Sequence, residues 1–230
     1  MQKCIAISTP GAQFSALAIK GNFRDSIRRV AELGYDAVEL HIRDPNGIDV
    51  DEIENLLNQY RLPVPTIGTG QAYGEEGLSF SDPDPEIRRK AVQRIQDQMD
   101  LASKLSSPRV TIGLIRGTVK AGMEKDRAEG YVMECMVKCL DYNPAITLIL
   151  EPLNRYETSL YNDTASAKEV IDRIGVPYHP EQMGVTWDQV AEAMRRLPDA
   201  VSRGGLWYTV ASERPVTEEF IARMREWLSA

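Results

Sequence analysis

Histidine is nearly missing from this 230-residue chain: His41 and His179 are the two it has. That shortage leaves no material for a histidine-rich multi-metal centre. Basic residues are also in deficit, 27 against 34 acidic, for a formal net charge of −7. A general nucleic-acid binder needs a basic field to replace phosphate counterions, so that class is set aside. Three cysteines, Cys4, Cys135 and Cys139, are too few for a disulfide framework. No run approaches the ~20 consecutive apolar residues of a membrane span. Met1–Ile7 enters a strand-like run without a secretory apolar region and cleavage site, so the expected compartment is the cytoplasm. No Gly-x-Gly-x-x-Gly follows the first strand, which argues against a dinucleotide fold.

What is present is a repeated alternation of apolar runs and amphipathic segments. Strands are expected at Lys3–Ser8, Ala37–Leu40, Val64–Gly68, Val110–Ile115 and Ile146–Leu150. Helices are expected at Asn22–Leu33, Asp49–Tyr60, Glu86–Leu105 and Lys125–Tyr142, with another after Asp163 that ends at Gly175. Strand followed by helix, five times at ~30-residue spacing, is the pattern of right-handed βα units and a parallel sheet. Beyond Gly175 the rhythm weakens. A short strand is expected at Gln182–Thr186, helices at Trp187–Leu197 and Thr217–Leu228, and a last strand at Gly205–Ala211. The expected fold is therefore α/β: a parallel TIM-type barrel in one domain over residues 1–230. It is shortened, with six to seven strands and seven helices in place of eight units. Cys135 and Cys139 share an apolar stripe with Val132, Met136 and Leu140, which favours core packing over metal ligation.

The stretch Ile146–Glu157 holds the strongest chemical candidate. An unbroken apolar run ends on Glu151, and the C-terminal edge of a parallel sheet is where barrels gather their chemistry. A carboxylate there can ligate a divalent metal or take a proton from carbon beside a carbonyl; a solvated strand end is the plain alternative. Asn154, Arg155 and Glu157 follow in a polar loop, a donor and acceptor set suited to a polyhydroxylated ligand, or equally a surface loop. Other strand ends add His41, Gln71 and Arg116 as candidates to bind substrate. A lone histidine near a strand end is as a rule structural unless partners converge on it. The glycines of Gly68-Thr-Gly70 admit close backbone approach or simply make a turn, and no Lys-Ser/Thr follows to form a phosphate cradle.

Leu150-Glu-Pro-Leu-Asn-Arg-Tyr-Glu-Thr158 resembles the fifth-strand signature of the xylose isomerase-like TIM-barrel superfamily, in its sugar isomerase and ketose 3-epimerase branch. Ile7-Ser-Thr9, Gly34-Tyr-Asp-Ala-Val-Glu39, Arg43-Asp-Pro45, Ile67–Tyr73 and Ile112–Gly117 are similar to runs that such proteins carry at matching places. The resemblance implies metal-assisted proton transfer on a ketose or related small sugar through an enediolate, with Mn²⁺, Mg²⁺ or Co²⁺ as cofactor. It also implies that Glu151 is one of a metal-binding acid/base pair and that Glu157 contacts the sugar. The family's sixth-strand Asp-x-x-His is missing after Gly175. Ala211 stands where the eighth-strand Glu belongs, and Glu213, two residues on, is the candidate substitute. The implied metal site is thus incomplete, and the second reading is a non-catalytic descendant that binds a sugar or a protein. The absent unit leaves open a contribution from another subunit in a homo-oligomer. The DNA-cleaving branch of the superfamily, with its multi-zinc site, is at odds with two histidines and a charge of −7.

Overall fold

The computed structural model describes residues 3–9, 12, 17, 19–175, 180–203 and 216–229. The chain divides into two compact units, Met1–Val170 and Ile171–Ala230.

The first unit is built on a six-stranded, wholly parallel sheet. Its strands are β1 (Cys4–Ser8), β2 (Ile19–Lys20), β3 (Ala37–His41), β4 (Ile67–Gly68), β5 (Arg109–Ile112) and β6 (Thr147–Leu150). Their spatial order is β2-β1-β3-β4-β5-β6. Apart from the two-residue β2, which pairs on the other side of β1, the strands succeed one another across the sheet from β1 through β3, β4 and β5 to β6. A doubly wound sheet also reverses at such a point, but here only the short β2 lies beyond it. The longer run winds in one direction, as in a barrel, and the α/β shortened-barrel expectation holds. All C-terminal strand ends consequently meet at one edge.

The crossover helices are α1 (Phe23–Glu32), α2 (Val50–Tyr60), α3 (Gly70–Glu76), α4 (Pro85–Lys104) and α5 (Lys125–Leu140), and α6 (Thr164–Ile174) follows β6. Capping residues set several starts. Asn22, Asp49 and Asp84 accept hydrogen bonds from the backbone N–H groups of Asp25, Glu52 and Glu86. Pro85 opens α4, where its missing N–H is no loss. The apolar stripes point inward as the periodicity requires: Ile27 and Val30 of α1, Ile53 and Leu57 of α2, Ile95 and Met99 of α4 are all buried. Val132, Cys135, Met136 and Cys139 are buried too, and burial pushes the two thiols up to about 11 and about 12. The cysteines are packing residues.

Four local expectations need correction. The strand expected over Val110–Ile115 stops at Ile112, because Gly113 leaves the extended region (φ −97°, ψ −116°) and a 3₁₀ turn follows at Leu114–Arg116. The third expected strand shrinks to Ile67–Gly68, since Pro63 and Pro65 limit the donors available for pairing. The turn offered at the glycines of Gly68-Thr-Gly70 gives way at Gly70 to a helix, α3. The weak strand at Gln182–Thr186 is a 3₁₀ turn, Pro180–Met183, followed by Gly184 at φ +73°.

The second unit contains α7 (Trp187–Arg203) and α8 (Glu218–Ser229), giving eight α-helices among the described residues against seven expected. Thr186 and Gln189 form a reciprocal cap on α7. Arg195 bonds Glu218 through two nitrogens at 2.6 and 2.9 Å, tying α7 to α8. The expected strand at Gly205–Ala211, and with it Glu213 and His179, lies outside the described residues. Among the described residues no helix is long and apolar enough to cross a membrane.

Candidate functional site

A cavity of about 560 Å³ opens at the C-terminal edge of the sheet. Glu39, His41, Gln71, Glu75, Glu151 and Glu157 line it, together with the glycines of β4 and the β5 end. The strand period explains the first two: Glu39 and His41 are two apart on β3 and share a face. Their side chains meet, with His41 Nε2 and Glu39 Oε1 2.7 Å apart. Gln71 and Glu75 are one turn apart on α3, so they also share a face. The α3 start is tied to the sheet by Thr69, whose hydroxyl donates to the Thr111 carbonyl at 2.6 Å.

Glu151 extends β6 by one rung, its N–H donating to the Ile112 carbonyl at 3.2 Å. Burial raises its carboxyl pKa above the ordinary value. The charges of Glu39 and Glu157 push the same way, while Arg116 and His41 pull against them. A carboxyl so placed holds its proton to higher pH than a surface glutamate. Glu157 reaches the cavity and accepts a hydrogen bond from Asn154 Nδ2 at 2.7 Å. Gln71 is buried, and its Oε1 accepts from the Thr9 hydroxyl at 2.9 Å. Its Nε2 has no hydrogen-bond partner among the described residues. A buried donor on a cavity wall awaits an acceptor.

Six sequence candidates fall within the first unit's described residues besides Glu151. Three of them, His41, Gln71 and Glu157, join Glu151 in the cavity. Asn154 stands behind Glu157, and Arg155 is exposed with its guanidinium over the Tyr156 ring. Arg116 is the clearest departure from expectation. It is fully buried and is not part of the cavity wall. Its nitrogens donate to the carbonyls of Leu160 (3.1 Å), Gly113 (3.2 Å), Glu151 (2.5 Å) and Tyr161 (3.4 Å). The 3₁₀ turn carries it off the strand line and into the interior. Burial draws its pKa down to about 10, so it stays cationic at neutral pH. Glu213 lies outside the described residues.

Two cavity acids were not among the sequence candidates. Glu39 was legible from its two-residue spacing to His41. Glu75 was not, because its face is defined only by a helix that Gly70 and Gly74 disfavour.

Among the described residues no three His, Cys, Asp or Glu side chains are arranged to hold a metal ion. Glu151 is the single described member of the implied ligand set, and the neighbouring donors Glu39 and His41 are bonded to each other. The described donors therefore do not fit a divalent ion.

Residues 27–189 match the xylose isomerase-like TIM barrel family. An L-ribulose 3-epimerase of Methylomonas sp. (strain DH-1) is 26% identical over 162 residues, covering 67% of this chain and 54% of that protein. A ketose 3-epimerase of Arthrobacter globiformis is 24% identical over 159 residues, covering 67% and 53%. The chain thus spans about half the length of these relatives. Among solved structures, a Methylomonas sp. D-allulose 3-epimerase in complex with D-allulose superposes with a TM-score of 0.59 at 22% identity. That match covers 76% of this chain and 60% of the other. The D-psicose 3-epimerase of Clostridium cellulolyticum H10 with D-tagatose gives 0.60 at 16% identity, covering 97% and 95%. At such identities the structural likeness is one of fold. The family match spans well over half of the sequence, from α1 into the start of α7, and includes β3 through β6 and every cavity acid: the chain belongs to the xylose isomerase-like TIM barrel family, with ketose 3-epimerases among its relatives.

Proposed function

We propose that this chain forms the substrate cavity of a sugar isomerase or epimerase acting on a ketose or related small sugar. The reaction is proton transfer at the carbon beside the carbonyl, through an enediolate. The observation that carries this reading is Glu151: a carboxyl with a raised pKa, at a strand's C-terminal end, open to a cavity lined by polar groups. A carboxyl poised nearer to neutrality serves proton transfer better than an ordinary one. The cavity falls within the usual 300–1,000 Å³ range of small-molecule sites. Glu157 and Gln71 would accept from and donate to sugar hydroxyls. Dependence on Mn²⁺, Mg²⁺ or Co²⁺ is what the family resemblance implies.

A panel of ketoses, incubated with and without added Mn²⁺ and read for C3 epimers and aldoses, tests the proposal. Conversion of at least one sugar is expected, and Glu151→Gln should lower its rate by roughly 10²–10⁴-fold, the usual share of a general acid or base. Conversion at the wild-type rate by Glu151→Gln would exclude the role given to that residue. A second reading, a sugar-binding descendant without turnover, is favoured by the incomplete described ligand set. It predicts ketose binding by calorimetry with no product from any member of the panel.

A further inference from the structure

Between the imidazole on β3 and the acid at the end of β6 lie two strands, β4 and β5. Where they border the cavity they carry glycine. A Cβ on Gly68 would stand 2.5 Å from His41 Cε1 and 2.6 Å from Nδ1. A Cβ on Gly113 would stand 3.1 Å from Glu151 Oε2. The imidazole thus lies across β4 and the carboxyl across the β5 end. Each leans one strand towards the other, over positions where any other residue would put a side chain in the way.

The tautomer follows from the partner. An ionised Glu39 can only accept, so it takes Nε2–H and leaves the lone pair on Nδ1. Nδ1 has no hydrogen-bond partner among the described residues, and the ring lines the same cavity as Glu151. Carboxylate, imidazole and cavity are arranged as in any site where an acid orients a histidine and steadies its protonated form.

We propose that His41 Nδ1 and the Glu151 carboxyl are a two-sided proton-transfer pair for the epimerisation, serving opposite faces of the carbon next to the ketose carbonyl. The inference rests on the proposed function and deepens it, by supplying from β3 the partner group that the sequence suggested would come from the last strand. In one direction Nδ1 takes the proton from carbon. The C–H electron pair becomes the C=C bond of the enediolate, and the carbonyl π pair moves to oxygen. Protonated Glu151 then gives its proton to the opposite face; the C=C pair forms the new C–H bond and the oxygen pair restores the carbonyl. Glu151 ends as carboxylate and His41 as imidazolium beside Glu39, and exchange with water resets both. The reverse direction begins at Glu151. His41 is a catalytic residue in this scheme and Glu39 a positioning residue. Gln71 Nε2, the donor without a partner on the same wall, suits the oxygen that gains charge.

The test uses the full chain in D₂O with D-fructose, D-allulose and D-tagatose, following epimer formation by chromatography and deuterium at C3 by NMR. His41→Asn is expected to lower epimer formation by a hundredfold or more, about the contribution of one acid–base group, while deuterium still enters the one epimer whose proton faces Glu151. Glu151→Gln should show the mirror pattern, with exchange confined to the other epimer. Gly68→Ala, whose new methyl displaces the imidazole, should behave like His41→Asn, and Glu39→Gln should lower kcat with KM little changed. Epimerisation by His41→Asn at the wild-type rate would overturn the inference and leave the proposed function standing. Equal loss of exchange from both epimers would also overturn it, since that marks a structural role for His41. A wild-type chain with neither epimerisation nor exchange would overturn the proposed function and this pairing with it.

Discussion

Arg116→Met is expected to destabilise the protein by about 3–5 kcal/mol, although the substitution touches no cavity wall. Methionine fills much of the same volume but donates nothing. Four carbonyls, those of Gly113, Glu151, Leu160 and Tyr161, lose a charged donor. A buried polar group left without its partner costs about 1–3 kcal/mol. The total is smaller than four such losses, because the bonds to Gly113 and Tyr161 are long and water can reach Glu151. Against this stands the relief of desolvating a guanidinium, the effect that draws its pKa down. Arg116→Lys should recover only part of the loss, since one ammonium cannot span acceptors on three chain segments. The urea midpoint measures the effect, with an unchanged m-value showing that the native fold persists. Turnover should fall as well, because Arg116 links the Glu151 carbonyl to the segment at Leu160 and Tyr161. A stability loss below ~1 kcal/mol, the scale of a single ordinary hydrogen bond, would show that these carbonyls find other donors.

Gly117→Ala is expected to cost a similar amount, about 3–5 kcal/mol, from strain and collision combined. The residue sits at φ +84°, ψ −158°, a region that essentially only glycine occupies. Its missing Cβ would stand 2.0 Å from Ser79 Oγ and 2.2 Å from Ser81 Oγ. Neither serine has free space to retreat into: both are buried, they bond each other at 3.2 Å, and Ser81 donates to the Thr118 carbonyl. The Gly117 carbonyl is itself held by the Thr158 hydroxyl at 2.6 Å, so the backbone cannot easily turn away. Adding Ser79→Gly to Gly117→Ala should restore the part due to one collision and leave the backbone strain. Denaturation midpoints of the single and double variants separate the two contributions.

The comparison of these two neighbours with Glu151 shows how much of the site was legible in the sequence. Glu151 was legible because an apolar run ending in an acid needs only the pleat and the sheet edge to place it. Arg116 looked the same, a charged residue closing an apolar run. It went elsewhere because Gly113 ends β5 three residues early and the 3₁₀ turn redirects the chain. In the run Ile112-Gly-Leu-Ile-Arg116 the one warning is Gly113, and a glycine there serves equally as a bulge in a strand that continues. The α3 helix was hidden for a related reason. Two glycines within Gly70–Glu76 weaken its intrinsic propensity, and Thr69 bonding to Thr111 supplies what propensity lacks. β2, two residues long, exists only because β1 presents an edge to pair with.

Periodicity, capping acids and the Leu150–Thr158 signature were sufficient by themselves to determine the α/β class, the parallel sheet, the inward faces of the long helices, the family, and Glu151 at the sheet edge. These properties depend on interactions a few residues apart, which a linear pattern records. Tertiary structure alone decided that Arg116 is a buried tie, that Glu75 faces the cavity, and that the Glu39–His41 pair and Glu151 lean towards one another over Gly68 and Gly113. Those outcomes depend on which strands are neighbours and on which positions lack a side chain between them. The physical reason is that a cavity is formed by residues 17 to 157 of the chain at once, and only the packed sheet brings them within reach.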